Sequence, residues 1–281
     1  MIVLLLPGSA ARSLAWHTPP HQQITRAAVD SLPVPMQEKL GLEKEMLIWV
    51  NCMYPDRYRG LAQEGPEKDP NPGPRNRADL KRYCEMPDGR AIHNVTQNRR
   101  EDLASFEFLL NSIIASLRAD DVAGAARYMG TLAHLVEDSC SPAHAAPLPL
   151  AVVELGKTQP IPNPPPWLGR LNEHGTTLTA GNLHAAMELT TLPFNLHGRS
   201  PQRVGKTVEV ATPKLLDRCY ATVEENKRSL LEMVRATYAD DVPTMERLRS
   251  RAARHAAELL ADAYYTAWLI AGESTNADQK R

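Results

Sequence analysis

Three features of the sequence predict an all-α protein, built as a single multi-helix domain whose long loops form a site. Apolar residues recur at three- and four-residue spacing along most of the chain, the period of a helix with one face turned inward. The β-branched alternation that strands need is scarce. With 281 residues, 43% of them hydrophobic, the chain can bury a sizeable core, and neither an internal repeat nor a clean linker divides it.

The elements follow in order. In "HQQITRAAVDSL", Ile24, Ala27, Ala28 and Leu32 share one face. A second helix is expected within "PVPMQEKLGLEKEMLIWVNCMYPD", ending before Pro55, because a proline pushes the residue before it out of helical geometry. Residues 63–90 are dense in Pro, Gly and charge and predict a long loop. "RREDLASFEFLLNSIIASLRADD" and "DVAGAARYMGTLAHLVEDS" predict two strong helices joined at the acidic "ADD". Another irregular stretch is expected from Pro147 to about Leu171. A short helix near residues 182–190 and two long ones, roughly 212–238 and 243–271, complete the chain.

Lys and Arg total 32 against 33 Asp and Glu, so the bulk charge advertises neither nucleic acid nor an anionic membrane as partner. No apolar run approaches the roughly 20 residues of a membrane helix. The N-terminus "MIVLLLPGSAARSLAWH" has an apolar run, a Pro-Gly break and a small-x-small site. It predicts a signal peptide over residues 1–15 and a secreted or periplasmic protein, while its lack of early Lys or Arg leaves room for an ordinary apolar terminus. Cys52, Cys84, Cys140 and Cys219 lack C-x-x-C spacing, which argues against a thiolate zinc site; export would permit one or two disulfides among them.

The stretch "GTLAHLVEDSCSPAHA" carries His134, Asp138 and His144. Residues four apart on a helix have Cβ atoms about 5–6 Å apart, so His134 and Asp138 can grip one ion. Pro142 then ends the helix and lets His144 fold back. Zinc takes imidazole nitrogen and carboxylate oxygen at about 2.0–2.2 Å, which such helical pairs deliver without strain. Composition gives about 0.03 chance matches to His-x3-acid-x5-His. "LHAAMEL" repeats the spacing with His184 and Glu188, a pattern expected about once per chain by chance, so on its own it fits a polar helix edge equally well. Glu137, beside Asp138, is expected to be solvated.

Three further segments complete the pattern: "WHTPPH" sets Trp16 and His21 at Trp-x4-His spacing, "MYPDRYRG" holds Asp56, and "AIHNV" holds His93. Together with the two helical motifs they resemble the superfamily of zinc-dependent phospholipases C and single-strand-preferring zinc nucleases. The resemblance spans residues 16–188, and "ADAYYTAWLIAG" is similar to the family's last helix. It implies one all-α domain over residues 16–281 holding three zinc ions. Trp16 would be the mature N-terminus, binding zinc through its α-amino group and carbonyl. Asp56, His93, His134 and Asp138 would bind one zinc, Trp16, His21 and Asp138 its close neighbour, and His144, His184 and Glu188 the third, with Asp138 as the bridge. His17 is an alternative to His21, which the helix start favours. His174, His197 and His255 match no motif and are expected at the surface or in satisfied structural roles. Cys140 is expected to be packed or disulfide-bonded.

The resemblance implies phosphodiester hydrolysis, with a hydroxide shared between two zincs attacking phosphorus in line. Asp56 and Asp138 are the expected catalytic residues, Asp56 also orienting or deprotonating water. The substrate is expected to be a phospholipid headgroup or single-stranded nucleic acid. His-x3-Glu favours the phospholipase branch, whereas Trp-x4-His and "DRYR" favour the nuclease branch. Base stacking needs aromatic platforms, and Tyr54, Tyr58, Trp167 and Phe194 fit that role or the core equally well. Phospholipase C-like hydrolysis stands slightly ahead of the nuclease, and a non-catalytic, zinc-stabilised binding protein comes third. A monomer without an integral membrane segment is expected.

Overall fold

The computed structural model describes residues 18–64, 77–158, 180–188 and 194–278. The predicted leader, Trp16, His17, Trp167 and His174 lie outside them. The fold is all-α. Its helices are α1 (Thr18–Asp30), α2 (Val34–Leu40), α3 (Glu43–Trp49), α4 (Tyr54–Glu64), α5 (Arg77–Cys84), α6 (Arg99–Arg118), α7 (Val122–Cys140), α8 (Leu148–Thr158), α9 (Ala180–Glu188), α10 (Val208–Ala239) and α11 (Val242–Asp278). Single 3₁₀ turns lie at Asn51–Met53 and Pro142–His144. No described helix is long and apolar enough to cross a membrane.

Helix α7 is the centre of the molecule. Every residue from Tyr128 to Cys140 is buried, because α1, α3, α4, α6, α11 and the 51–53 turn pack around it. A helix covered on all sides normally carries apolar residues throughout. This one carries His134, Glu137 and Asp138, all fully buried. Its neighbours come close because Gly130 has no side chain: a Cβ there would stand 2.4 Å from the Asn51 backbone. Tyr264 of α11 donates to the Met129 carbonyl at 2.9 Å and locks the long C-terminal helix against the same turn.

The two longest helical hairpins use the same chemistry to reverse direction. In "ADDV" at 119–122 and again at 239–242, the first aspartate adopts the left-handed conformation (φ 58° at Asp120, 54° at Asp240), which Asp tolerates better than most residues. The second aspartate caps the next helix, Asp121 accepting from Gly124 N at 2.8 Å and Asp241 from Thr244 N at 3.2 Å. Buried Asp262 ties down the chain before α10: it accepts from Arg199 and Arg218 at 2.7 Å each and from Gln202 N at 2.6 Å. A smaller apolar cluster, including Leu148, Leu183, Met187, Met233 and Val234, seats α8 and α9 on α10.

The structure corrects four sequence expectations. The predicted second helix is broken in two at Gly41, whose φ of 52° suits glycine. Pro55 does not stop a helix but lies in the first turn of α4, where its missing N–H has no partner to lose. Within the predicted 63–90 loop, α5 forms over Arg77–Cys84 by burying Leu80, Tyr83 and Cys84. The irregular stretch predicted from Pro147 begins instead with α8. Pro149 sits at its second position, again a place where proline fits.

Gly130→Ala is expected to destabilise the fold by about 1–3 kcal/mol through overpacking against Asn51. Gly272→Ala, at an exposed position near the end of α11 with open space around the missing Cβ, is expected to be neutral or stabilising by up to about 1 kcal/mol. Chemical denaturation of both variants measures the contrast.

Candidate metal centre

Four elements deliver side chains to one buried cluster. His21 comes from the first turns of α1, Asp56 from the first turn of α4, His93 from the loop before α6, and His134 with Asp138 from one face of α7. His134 Nε2 lies 3.3 Å from Asp138 Oδ2 and 3.7 Å from Asp56 Oδ1. His93 stands between the two acids, 3.0 Å from Asp56 and 3.1 Å from Asp138. His21 Nε2 lies 3.4 Å from the other Asp138 oxygen, and its ring stacks on that of His134 with centroids 4.5 Å apart. In a second cluster, His184 and Glu188 from α9 approach to 3.0 Å, and His144 from the 142–144 turn lies 3.6 Å from Glu188.

Three groups among the described residues therefore could hold a metal ion: His21, Asp56 and His134; His93, His134 and Asp138; and His144, His184 and Glu188. Within each, the ligand atoms lie within 4.8 Å of one another. Every predicted ligand except Trp16 is brought to one of these groups. His197 is exposed and His255 only partly buried, both away from the clusters, as expected. The four cysteines are buried free thiols, with Cys140 packed in the core.

A set of partners orients the ligands. His134 Nδ1 donates to the Cys52 carbonyl at 2.9 Å, which fixes the tautomer and leaves Nε2 facing the cluster. His21 Nδ1 donates to Glu137 at 2.6 Å, and Thr25 donates to the other Glu137 oxygen at 2.6 Å. Ser141 caps the 142–144 turn and donates to Glu188 at 2.8 Å. Glu137, expected to be solvated, is fully buried and belongs to the site. It faces α1, where His21 and Thr25 stand four residues apart and meet its two oxygens; that spacing is the one sequence signal that points to it. Arg59, one turn after Asp56 on α4, is the last residue of "DRYR" and carries no ligand role in sequence; its guanidinium lies 2.6 Å from His93 Nε2.

The inner atoms lack protein partners. His21 Nε2, Asp56 Oδ2, His134 Nε2, both Asp138 oxygens, His144 Nε2, His184 Nε2 and Glu188 Oε2 are all buried without a hydrogen bond. Such groups are nearly always paired in folded proteins, and each orphan costs about 1–3 kcal/mol. Their convergence is what a cation-binding cavity requires. The electrostatics agree. Burial works to raise Asp138, but His134, His93 and His144 hold it well below the usual carboxylate range. Burial also opposes ionisation of Asp56, and His134 and His93 overcome it. Burial lowers His21, yet Glu137, Asp138 and Asp56 push it up to about 9. His134 and His184 are raised against burial by Asp138 and Glu188 respectively, whereas His144 is lowered by burial.

Glu137→Gln is expected to weaken metal binding by about 10–100-fold, the usual effect of losing a carboxylate behind a histidine ligand, measured by competition with a chromogenic chelator. Without metal, His21 keeps its proton up to about pH 9, so a cation must displace it at neutral pH. Metal affinity is therefore expected to rise between about pH 6 and pH 9, with protons released on binding; calorimetry in two buffers of different ionisation enthalpy measures that release. In comparisons with known proteins, no family model, curated protein or solved structure matches the chain.

Proposed function

We propose that the protein is a zinc-dependent phosphodiester hydrolase of phospholipase C type, acting outside the cytoplasm. The observation that carries this reading is the double cluster of orphaned nitrogen and oxygen atoms around Asp138, whose charge reaches His144 and His184 as well as its own neighbours. The donor set fits zinc: imidazole and carboxylate only, with no thiolate. Asp56, His93, His134 and Asp138 would hold one ion, His21 and Asp138 with Trp16 its neighbour, and His144, His184 and Glu188 a third.

Zinc at such a site supplies a nucleophile at neutral pH and neutralises charge on a phosphoryl group. The chain's own residues supply the rest. Asp138, with neither oxygen hydrogen-bonded, would be the residue shared between two of the ions. Asp56, ionised at neutral pH, has Oδ2 available to accept a proton from an incoming water. Arg59, at the exposed edge beside His93, is placed to balance negative charge on phosphorus. Hydrolysis would yield an alcohol and a phosphate monoester.

A lipid is favoured over a nucleic acid by what lies around the clusters. Tyr54 and Tyr58, candidates for base stacking, are buried in the core, and Phe194 packs against it. On α8, Leu150 and Val153 are 67% and 59% exposed, beside Leu148, which lines the cleft at His144. A nuclease remains the second reading because Arg59 offers the cation that a polyanion needs.

Asp138→Asn is expected to release two zinc equivalents together and to lower hydrolysis by at least about a thousandfold, since it removes the shared ligand. The assay compares short-chain phospholipids with single-stranded DNA, with and without chelator. Chelator-sensitive release of a phosphomonoester from lipid supports the proposal. Activity confined to DNA supports the nuclease, and activity on neither overturns both enzyme readings.

A further inference from the structure

A cleft of about 650 Å³ opens over the second cluster, with His144 and His184 on one side and Gln97 and Lys227 among the residues that complete its lining. From the geometry of Gln97 and Lys227 we infer a headgroup subsite for an oxygen-rich, non-cationic headgroup, a polyol that stays esterified to phosphate when the diacylglycerol alcohol leaves. The inference rests on the phospholipase reading of the metal clusters and assigns that site its headgroup class.

Gln97 has φ 63°, a conformation that a residue with a Cβ adopts at a cost of about 1–3 kcal/mol unless its surroundings impose it. Here they do. Thr96 donates through its N and its hydroxyl to buried Asp102 at 2.9 and 3.0 Å, Asn98 N donates to the Thr96 hydroxyl at 3.1 Å, and Tyr220 of α10 donates to the other Asp102 oxygen at 2.6 Å. The backbone would be served better by glycine, so it is the glutamine side chain that needs an explanation. It meets Lys227: the Lys227 ammonium donates to Gln97 Oε1 at 2.7 Å and to Glu224 at 2.6 Å. An ammonium has only donors, so the amide oxygen must be the atom facing it, and the two amide N–H groups point elsewhere. The ammonium retains a third N–H. Its neighbour Asn226 donates to the Cys140 carbonyl at 2.6 Å, which fixes this turn of α10 against the end of α7 and hence against the metal-facing turn.

Both residues line the cleft, and the pair retains donors that a ligand there could meet. Hydroxyls and phosphate oxygens accept such bonds. A quaternary ammonium cannot accept them, and it is recognised instead by aromatic faces; apart from the two imidazoles, the described residues lining this cleft include no aromatic ring. Nor do the described residues lining the cleft include a carboxylate to attract it, Lys227 being already paired with Glu224.

The test uses the protein saturated with zinc and two soluble probes that share a glycerophosphodiester core, glycerophosphoglycerol and glycerophosphocholine. Wild type is expected to bind the glycerol compound about 10–100-fold more tightly, the worth of hydrogen bonds to a charged group. Lys227→Met and Gln97→Gly are each expected to remove most of that preference. Equal affinities in the wild type, or a preference that survives both substitutions, overturn the subsite. Gln97→Gly also relieves the positive φ, so it is expected to melt no lower than wild type; a lower melting temperature with unchanged selectivity assigns Gln97 a structural role and contradicts the inference. Hydrolysis of the matching short-chain lipids is followed in parallel. Selective binding without turnover supports the subsite and overturns the hydrolase reading, whereas turnover without selectivity does the reverse.

Discussion

The structure depends on one constraint: an ionised carboxylate, Asp138, sits on a helix that has no exposed face along most of its length. Moving a charge from water into a protein interior costs several kcal/mol unless partners replace the lost hydration. Asp138 has neither oxygen hydrogen-bonded. It has three imidazoles within reach from three different elements, His21 on α1, His93 before α6 and His134 on its own helix. The arrangement of α1, α4 and α6 around α7 can be understood as the way these groups are brought to it. A cation at the centre would turn a set of orphaned donors and acceptors into a satisfied one.

Placement of the ligands is transmitted through backbone as much as through side chains. Gly130 admits the 51–53 turn, that turn presents the Cys52 carbonyl, and the carbonyl orients His134. One helical turn along α7, Glu137 reaches across to α1 and orients His21. The second cluster repeats the device with Ser141 behind Glu188. His21, His134 and Glu188 are therefore each held from behind by a buried group, which leaves an inner atom of each free at a defined position. Because His21, His134 and His184 are all raised in basicity by the carboxylates beside them, a metal ion entering here would have to displace protons from them.

Much of this was legible in sequence, and the reasons it was not complete are physical. Long helices such as α6, α7, α10 and α11 show because their apolar period persists over many turns. The i,i+4 pairs His134/Asp138 and His184/Glu188 show because helical spacing alone places them together. Helices α4, α5 and α8 were obscured by prolines and charges, although a proline in the first turn is compatible with a helix. Glu137 was misjudged because its burial depends on α1, far away in the chain, folding over it; nothing adjacent to it in sequence announces His21 and Thr25. Gln97 and Lys227, 130 residues apart, meet only through the packing of α10 on the loop before α6.

The central claim, that Asp138 joins two metal ions while a third is held by His144, His184 and Glu188, is tested most directly by anomalous diffraction from crystals of the zinc-loaded protein at the zinc absorption edge. Two peaks flanking the Asp138 carboxylate and a third among His144, His184 and Glu188 are predicted. A map with no peak at Asp138 would contradict the account.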